Sequence, residues 1–241
     1  NFHYTCTGTY TNGDYVVNCH DGVAHGELDI YGILGMSCNG AFDTIAQTLN
    51  STKWQKLAED FGYNQSDRSQ VDFPYKKSHF DIASDDSVWS RMQLAIGQGT
   101  TTVTPLLNLM MYAAIANDGV MMTPYLVDHY LDADGNVVEQ TKPKALRSVC
   151  TKAEAELMDE FLTYVITNGT AAAGGSQYAR VSGKTGSAQY DSTKNYHAWF
   201  CGYGTNDVSE IAVCVMIEKG GAGGIVAAPV AGQIFDYYFS R

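Results

Sequence analysis

The chain predicts a mixed α/β fold of the α+β type, an antiparallel β-sheet flanked by helices. Three observations carry that prediction. The C-terminal third holds three strand-like runs in succession, residues 181–190, 197–203 and 210–218, and the turn signal Gly204-Thr205-Asn206-Asp207 joins the last two. Segments of helical periodicity precede them, and another amphipathic segment at 227–239 follows. With 45% hydrophobic and 17% charged residues, the 241-residue chain is globular and long enough to bury a large core. It shows no repeat and no linker, so residues 1–241 are read as one domain.

The elements follow in order. Residues 1–26 are turn-rich, and Thr11-Asn12-Gly13-Asp14 reads as a hairpin turn between Tyr10 and Tyr15-Val16-Val17. Residues 28–34 read as one or two helical turns stopping at Gly35. Phe42, Ile45, Ala46 and Leu49 then recur at helical spacing. Ser51 is the expected N-cap of a helix with Trp54, Leu57, Ala58 and Phe61 inward, closed by Gly62. Residues 63–86 read as one long polar loop, of the kind that borders function. Thr104-Pro105 is an N-cap with proline at the first helical position, and Asn117-Asp118-Gly119 ends that helix. A hairpin is expected around 132–135. Thr151-Lys152-Ala153-Glu154 is a capping box, opening a helix with Leu157, Phe161, Val165 and Ile166 inward. Three helices ahead of a three-stranded meander, with one more covering it, is the expected arrangement.

Composition excludes several function classes. A net charge of −11 with no basic patch excludes a nucleic-acid binder, which needs clustered Lys and Arg for phosphates. The longest apolar stretch, 103–116, is too short and too interrupted to span a bilayer. The start lacks both Met and a signal-peptide pattern, so the chain is expected to be a piece of a longer polypeptide. Of six cysteines, Cys201 and Cys214 sit in strand-like runs and read as buried apolar residues. Cys6 and Cys19 could form a disulfide in an extracytoplasmic protein. His3, His20 and His25 lie near them, but the spacing lacks a C-x-x-C pattern, so no metal and no cofactor is assigned.

The segment Val181-Ser182-Gly183-Lys184-Thr185-Gly186-Ser187-Ala188-Gln189-Tyr190 carries the chemistry. Lysine supplies a point charge, threonine a hydroxyl, and glycine a close backbone approach, which together suit an anionic ligand at a strand. A second polar motif, Ser37-Cys38-Asn39, precedes a helix. Read singly, Ser37 and Asn39 could be helix caps, Lys184 a solvated strand end, and His197 a structural histidine. Their combination resembles the second and third signature motifs, S-x-N and K-T-G, of penicillin-binding transpeptidases and serine β-lactamases. His25-Gly26, Gly97-Gln98-Gly99, Thr104-Pro105-Leu106, Asn117-x-Gly119, Gly169-Thr170 and His197-Ala198-Trp199-Phe200 fall in the order that family shows. The resemblance spans the chain and is greatest to class B, monofunctional, penicillin-binding proteins.

The family's first motif, S-x-x-K, is absent: no serine here has lysine three residues on, Ser51 being followed by Trp54, Ser148 by Thr151 and Ser192 by Asn195. The resemblance therefore implies the C-terminal part of a transpeptidase domain, begun after its nucleophile and lacking its N-terminal strands. It implies a membrane-anchored parent on the extracytoplasmic face of a bacterial cell, cross-linking peptidoglycan D-Ala-D-Ala stem peptides and inhibited by β-lactam antibiotics, with no cofactor. In it Ser37 would pass the proton to the leaving group and Asn39 would orient the activating lysine. Lys184 would supply charge and Thr185 would bind the substrate carboxylate. Gly186, Ser187 and Gln189 would complete the substrate strand, with the Ser187 N–H as half the oxyanion hole. Alternatives within the resemblance are a β-lactam-sensing or non-catalytic stem-peptide-binding domain and, less favoured, a serine β-lactamase.

Overall fold

The computed structural model describes residues 2–19, 22–65, 71–83, 86–193 and 195–241. Its N-terminal part is small-stranded. Strand β1 (His3–Cys6) pairs antiparallel with β4 (Gly26–Asp29), and β2 (Thr9–Asn12) forms the expected hairpin with β3 (Tyr15–Asn18). The apolar stretch after Gly26 is thus half strand. Only α1 (Ile30–Gly35) is helical, started by the Asp29 carboxylate accepting from the Gly32 N–H at 2.8 Å.

Two further helices follow, α2 (Asn39–Thr48) and α3 (Ser51–Asp60). The cap of α3 is Asn50, not Ser51: the Asn50 side chain accepts from the Lys53 N–H, and Ser51 is buried at the first helical position. Leu57, expected inward, is half exposed, because the stripe facing Phe80 and Ile82 is Trp54 and Ala58. Just beyond the 63–86 stretch lies a helix that the sequence reading did not assign, α4 (Val88–Ala95), capped by Ser87. Its Arg91 donates to the Ala46 and Leu49 carbonyls, both at 2.6 Å, and to the Ser51 hydroxyl at 2.7 Å, closing the C-terminal end of α2.

Helix α5 (Pro105–Ala116) starts at Thr104 as expected and is apolar nearly all round, since it lies between the sheet and β5 (Val120–Met122). Strands β6 (His129–Leu131) and β7 (Val137–Gln140) form the outlying hairpin, and β8 (Ala145–Ser148) returns to pair with β5. Helix α6 (Lys152–Asn168) has both bonds of the Thr151–Glu154 capping box. Leu157 on it is half exposed, so its buried stripe is Ala155, Leu162, Val165 and Ile166. Among the described residues six α-helices therefore precede the main sheet, rather than three.

That sheet is the expected meander in the order β11-β10-β9, with β9 (Arg180–Gln189), β10 (Tyr196–Thr205) and β11 (Glu210–Ile217) antiparallel throughout. Helix α7 (Gly223–Phe239) lies across it. Phe200 and Phe235, both fully buried, meet edge to face with 6.3 Å between centroids. Each contributes about 1.5–3 kcal/mol by leaving water. On the other face β9 and β10 hold a polar knot: Asp159 of α6 accepts from Ser182 and Tyr203 hydroxyls and from Arg180, each at 2.7 Å. Among the described residues no strand pairs with the outer edge of β9 or of β11. No described helix is long and apolar enough to cross a membrane.

Candidate active site

The turn between α1 and α2 is built by backbone hydrogen bonds. After the helix's last turn, the Ser37 N–H donates to the Leu34 carbonyl at 3.1 Å and the Cys38 N–H to the Ile33 carbonyl at 3.0 Å. This double bond pattern is a Schellman motif, and it requires a left-handed residue at its apex. That residue is normally glycine. Here it is Ser37, at φ 52°, a conformation costing an L-residue on the order of 1 kcal/mol. The apex lifts the Ser37 hydroxyl toward the sheet, where Lys184 Nζ donates to it at 2.9 Å.

Lys184 sits on β9 opposite Cys201, and its ammonium also donates to the Thr185 carbonyl at 3.0 Å. Burial pulls its pKa down to about 8, since the surroundings disfavour the charged form. The neighbouring Thr185 hydroxyl lies 3.0 Å from that of Thr170. Thr170 in turn donates its N–H to the Gly35 carbonyl at 3.0 Å, tying the loop after α6 to the end of α1. A Cβ on Gly169 would run into the Gly35 backbone, so position 169 needs glycine for this approach, while a Cβ on Gly35 would meet the Tyr164 ring. Three segments far apart in sequence thereby converge on Ser37, Lys184 and Thr185.

The other expected residues are placed differently. Asn39 is adjacent to Ser37, but its amide donates to the Asn18 carbonyl at 3.0 Å, anchoring α2 to the end of β3. The Ser187 hydroxyl accepts the Gly223 N–H at 3.1 Å, behind the strand, where the N-terminus of α7 packs against the Gly186 and Trp199 carbonyls. Gln189 donates to the Asp191 carbonyl at 2.6 Å and belongs to the β9–β10 turn. His197 stacks on Tyr190 and accepts the Lys219 N–H at 3.1 Å, a structural role.

One cluster was only partly visible in the sequence, which set Cys6, Cys19 and His25 near one another but left out Cys38. Cys6, Cys19 and Cys38 are buried, and none forms a disulfide. With His25 they bring four donor atoms within 4.8 Å of one another. The sequence reading assigned no metal-ligating residues here and weighed a Cys6–Cys19 disulfide, whereas the three thiols are free and face one another with His25. Its members come from the end of β1, the loop after β3, the residue before β4 and the cap of α2, so no local spacing announces it. His3 lies on β1 outside the cluster, and His20 lies outside the described residues. A hydrogen bond from Cys38 lowers the Cys19 thiol's pKa, and the same bond raises that of Cys38.

Comparison with known proteins bears directly on this arrangement. The family described as "Penicillin binding protein transpeptidase domain" matches residues 1–236. The chain belongs to that family. It is 29% identical over 203 residues to the peptidoglycan D,D-transpeptidase PbpA of Mycolicibacterium smegmatis, covering 80% of this chain and 40% of the relative. It is 28% identical over 237 residues to the peptidoglycan D,D-transpeptidase MrdA of Acinetobacter baumannii, covering 89% and 35% respectively. The chain thus spans well under half the length of these curated relatives. Among solved structures, the D,D-transpeptidase domain of a peptidoglycan glycosyltransferase from Eggerthella lenta superposes with a TM-score of 0.86 at 27% identity, over 97% of this chain and 58% of that one. Penicillin-binding protein 3 from Mycobacterium tuberculosis, complexed with aztreonam, superposes with a TM-score of 0.82 at 25% identity, over 99% and 57%. The α+β fold with its antiparallel sheet is that of penicillin-binding transpeptidase domains.

Proposed function

We propose that these residues form the S-x-N and K-T-G walls of a peptidoglycan D,D-transpeptidase, and that the acylated serine is supplied by an S-x-x-K motif outside the 241 residues. The observation that carries the reading is the 2.9 Å hydrogen bond from Lys184 to Ser37, which joins two short motifs 147 positions apart. Acyl transfer from a D-Ala-D-Ala stem peptide needs a nucleophile, a proton path to the leaving amine, an oxyanion hole and a grip on the terminal carboxylate. Ser37 and Lys184 are linked as a proton path requires, and Lys184 is the one group of the three converging side chains able to offset carboxylate charge. Thr185 lies beside it to hydrogen-bond the same carboxylate. The unpaired edge of β9 suits a substrate bound as an added strand. The relatives' printed names and the aztreonam complex of one structural neighbour support stem peptides as substrates and β-lactams as inhibitors. A site on the extracytoplasmic face of a bacterial membrane follows from that substrate.

Labelled penicillin tests the reading. The 241-residue chain alone should show an unchanged intact mass after incubation, because its serines lack the lysine at i+3. A penicilloyl adduct on this chain would overturn the assignment. In a longer polypeptide carrying these residues, a stable adduct supports the transpeptidase or a penicillin sensor. Rapid turnover instead supports a β-lactamase, and no adduct a non-catalytic stem-peptide binder. Lys184→Ala should slow acylation by roughly 10²–10³-fold, as for loss of one electrostatic donor.

A further inference from the structure

We propose that Cys6, Cys19, His25 Nδ1 and Cys38 bind one tetrahedral zinc ion, which fastens the Ser37–Asn39 turn to the N-terminal strands. The distances match that ion. Zinc bonds of about 2.3 Å to sulfur and 2.0–2.1 Å to nitrogen, at tetrahedral angles, put sulfurs about 3.8 Å apart and sulfur about 3.5 Å from nitrogen. Cys19 Sγ lies 3.7 Å from Cys38 Sγ and 3.5 Å from His25 Nδ1. Cys19 and Cys38 are far beyond the disulfide bond length of about 2.05 Å. Three thiolates and an imidazole are the soft donor set of closed structural zinc sites, and they leave no open position for catalysis.

Two further observations are independent of those distances. Asp43, one turn into α2 and five residues after Cys38, is fully buried with neither carboxyl oxygen hydrogen-bonded. A buried carboxyl without partners is costly, and a nearby cation offsets that cost. The cluster is also walled by Leu28, Ile33, Ala41, Tyr4 and Phe42, which keep water from the donors. Cys38 stands between Ser37 and Asn39, so an ion on its sulfur holds both motif residues at once. Binding releases the thiol protons to solvent and is favoured as pH rises. The inference stands on this geometry whether or not the parent transfers acyl groups.

The test uses the 241-residue chain, purified under reducing conditions and loaded with zinc or cobalt(II). About one ion per chain is expected, with the cobalt form showing thiolate-to-metal charge transfer and the strong visible bands of a tetrahedral site. His25→Ala should lose the ion, and His25→Cys, which rebuilds a four-sulfur site, should keep it. The His25→Cys variant and the spectrum of the unmodified protein remain informative if His25→Ala does not fold. Weak octahedral cobalt bands, no bound ion, or equal loading of His25→Ala would each overturn the site. So would a disulfide joining any two of Cys6, Cys19 and Cys38 in the protein as isolated. Removing the ion should accelerate amide exchange at 37–41 by at least about tenfold, while β10 is unchanged. No change at 37–41 would overturn the fastening role.

Discussion

Replacing Ser37 by glycine and, separately, by alanine isolates the strain stored at the apex of the α1–α2 turn. Both variants lose the hydroxyl that accepts from Lys184, so that loss cancels in the comparison. What differs is the backbone. Alanine must keep the left-handed conformation at φ 52°, costing about 1–2 kcal/mol, whereas glycine adopts it freely. Glycine gives back about 0.5–1 kcal/mol because its unfolded chain has more freedom to lose. The Ser37→Gly protein should therefore be more stable than Ser37→Ala by about 0.5–1 kcal/mol. For a chain of this size that corresponds to a melting temperature about 1–4 °C higher. Urea unfolding of the two variants measures the difference directly, provided their m-values agree. If Ser37→Ala matched or exceeded Ser37→Gly, the turn would not be strained in solution. The argument that serine is kept there for its hydroxyl, against a local preference for glycine, would then fail. Glycine should nonetheless break the proton path proposed above, so a protein more stable than Ser37→Ala yet without acylation in the longer polypeptide is the full expected pattern.

Lys184, Asp159 and Arg91 each give further expected outcomes. Lys184→Met should raise stability at pH 7 by about 1–3 kcal/mol, because it removes a cation whose buried position disfavours its charge. With the folded pKa at about 8, below the unfolded 10.5, the unfolded chain binds more protons in that window. Stability of the unmodified chain should then rise between pH 8 and 10.5, and a flat profile there would refute the burial argument. Asp159→Ala leaves the Tyr203 hydroxyl without its acceptor and the Ser182 hydroxyl with Thr163 alone as acceptor, and should cost about 1–3 kcal/mol by denaturant midpoint. Burial raises the Asp159 pKa, but hydrogen bonds from Tyr203, Ser182 and Arg180 take it below its usual value. Its stabilisation is present above the unfolded pKa of 3.8 and is lost as pH falls through the lower folded one. An acid-unfolding midpoint unmoved by Asp159→Asn would count against it. Arg91→Ala uncaps the α2 carbonyls and should cost about 1–3 kcal/mol, with Arg91→Lys recovering only part, since a point charge cannot reach three acceptors as a planar fork does.

The features legible in the sequence were those written in local codes. Thr104-Pro105, the Thr151–Glu154 box and the Asn12-Gly13 turn each encode their own geometry, and the three strands declared themselves by β-rich runs between turn signals. Ser37 and Lys184 were legible because their motifs are short and contiguous. The misses share another cause. Helix α4 has only eight residues in a polar context, and its role depends on Arg91 reaching backbone 42 and 45 positions away. Leu57 and Leu157 were placed inward by periodicity, but tertiary packing turned the neighbouring stripe to the core. Ser187 and Gln189 follow the strand motif in sequence, yet one side chain turns back to α7 and the other into a turn. The Cys6-Cys19-His25-Cys38 cluster is assembled wholly by topology, where β1 pairs with β4 and α2 caps the same pocket.

The contact between Gly35 and Gly169 has a mechanical consequence. Two backbones touch there without side chains between them, so the spacing between the Ser37 turn and the Thr170–Thr185 pair is set by hard main-chain surfaces. Such a junction has no slack to absorb a methyl group. An alanine at 169 would act as a wedge, prying the Ser37 turn and the Thr170–Thr185 pair apart from behind. Ligands of different width at the site proposed above would then feel the same substitution unequally, bulky ones gaining room and compact ones losing grip.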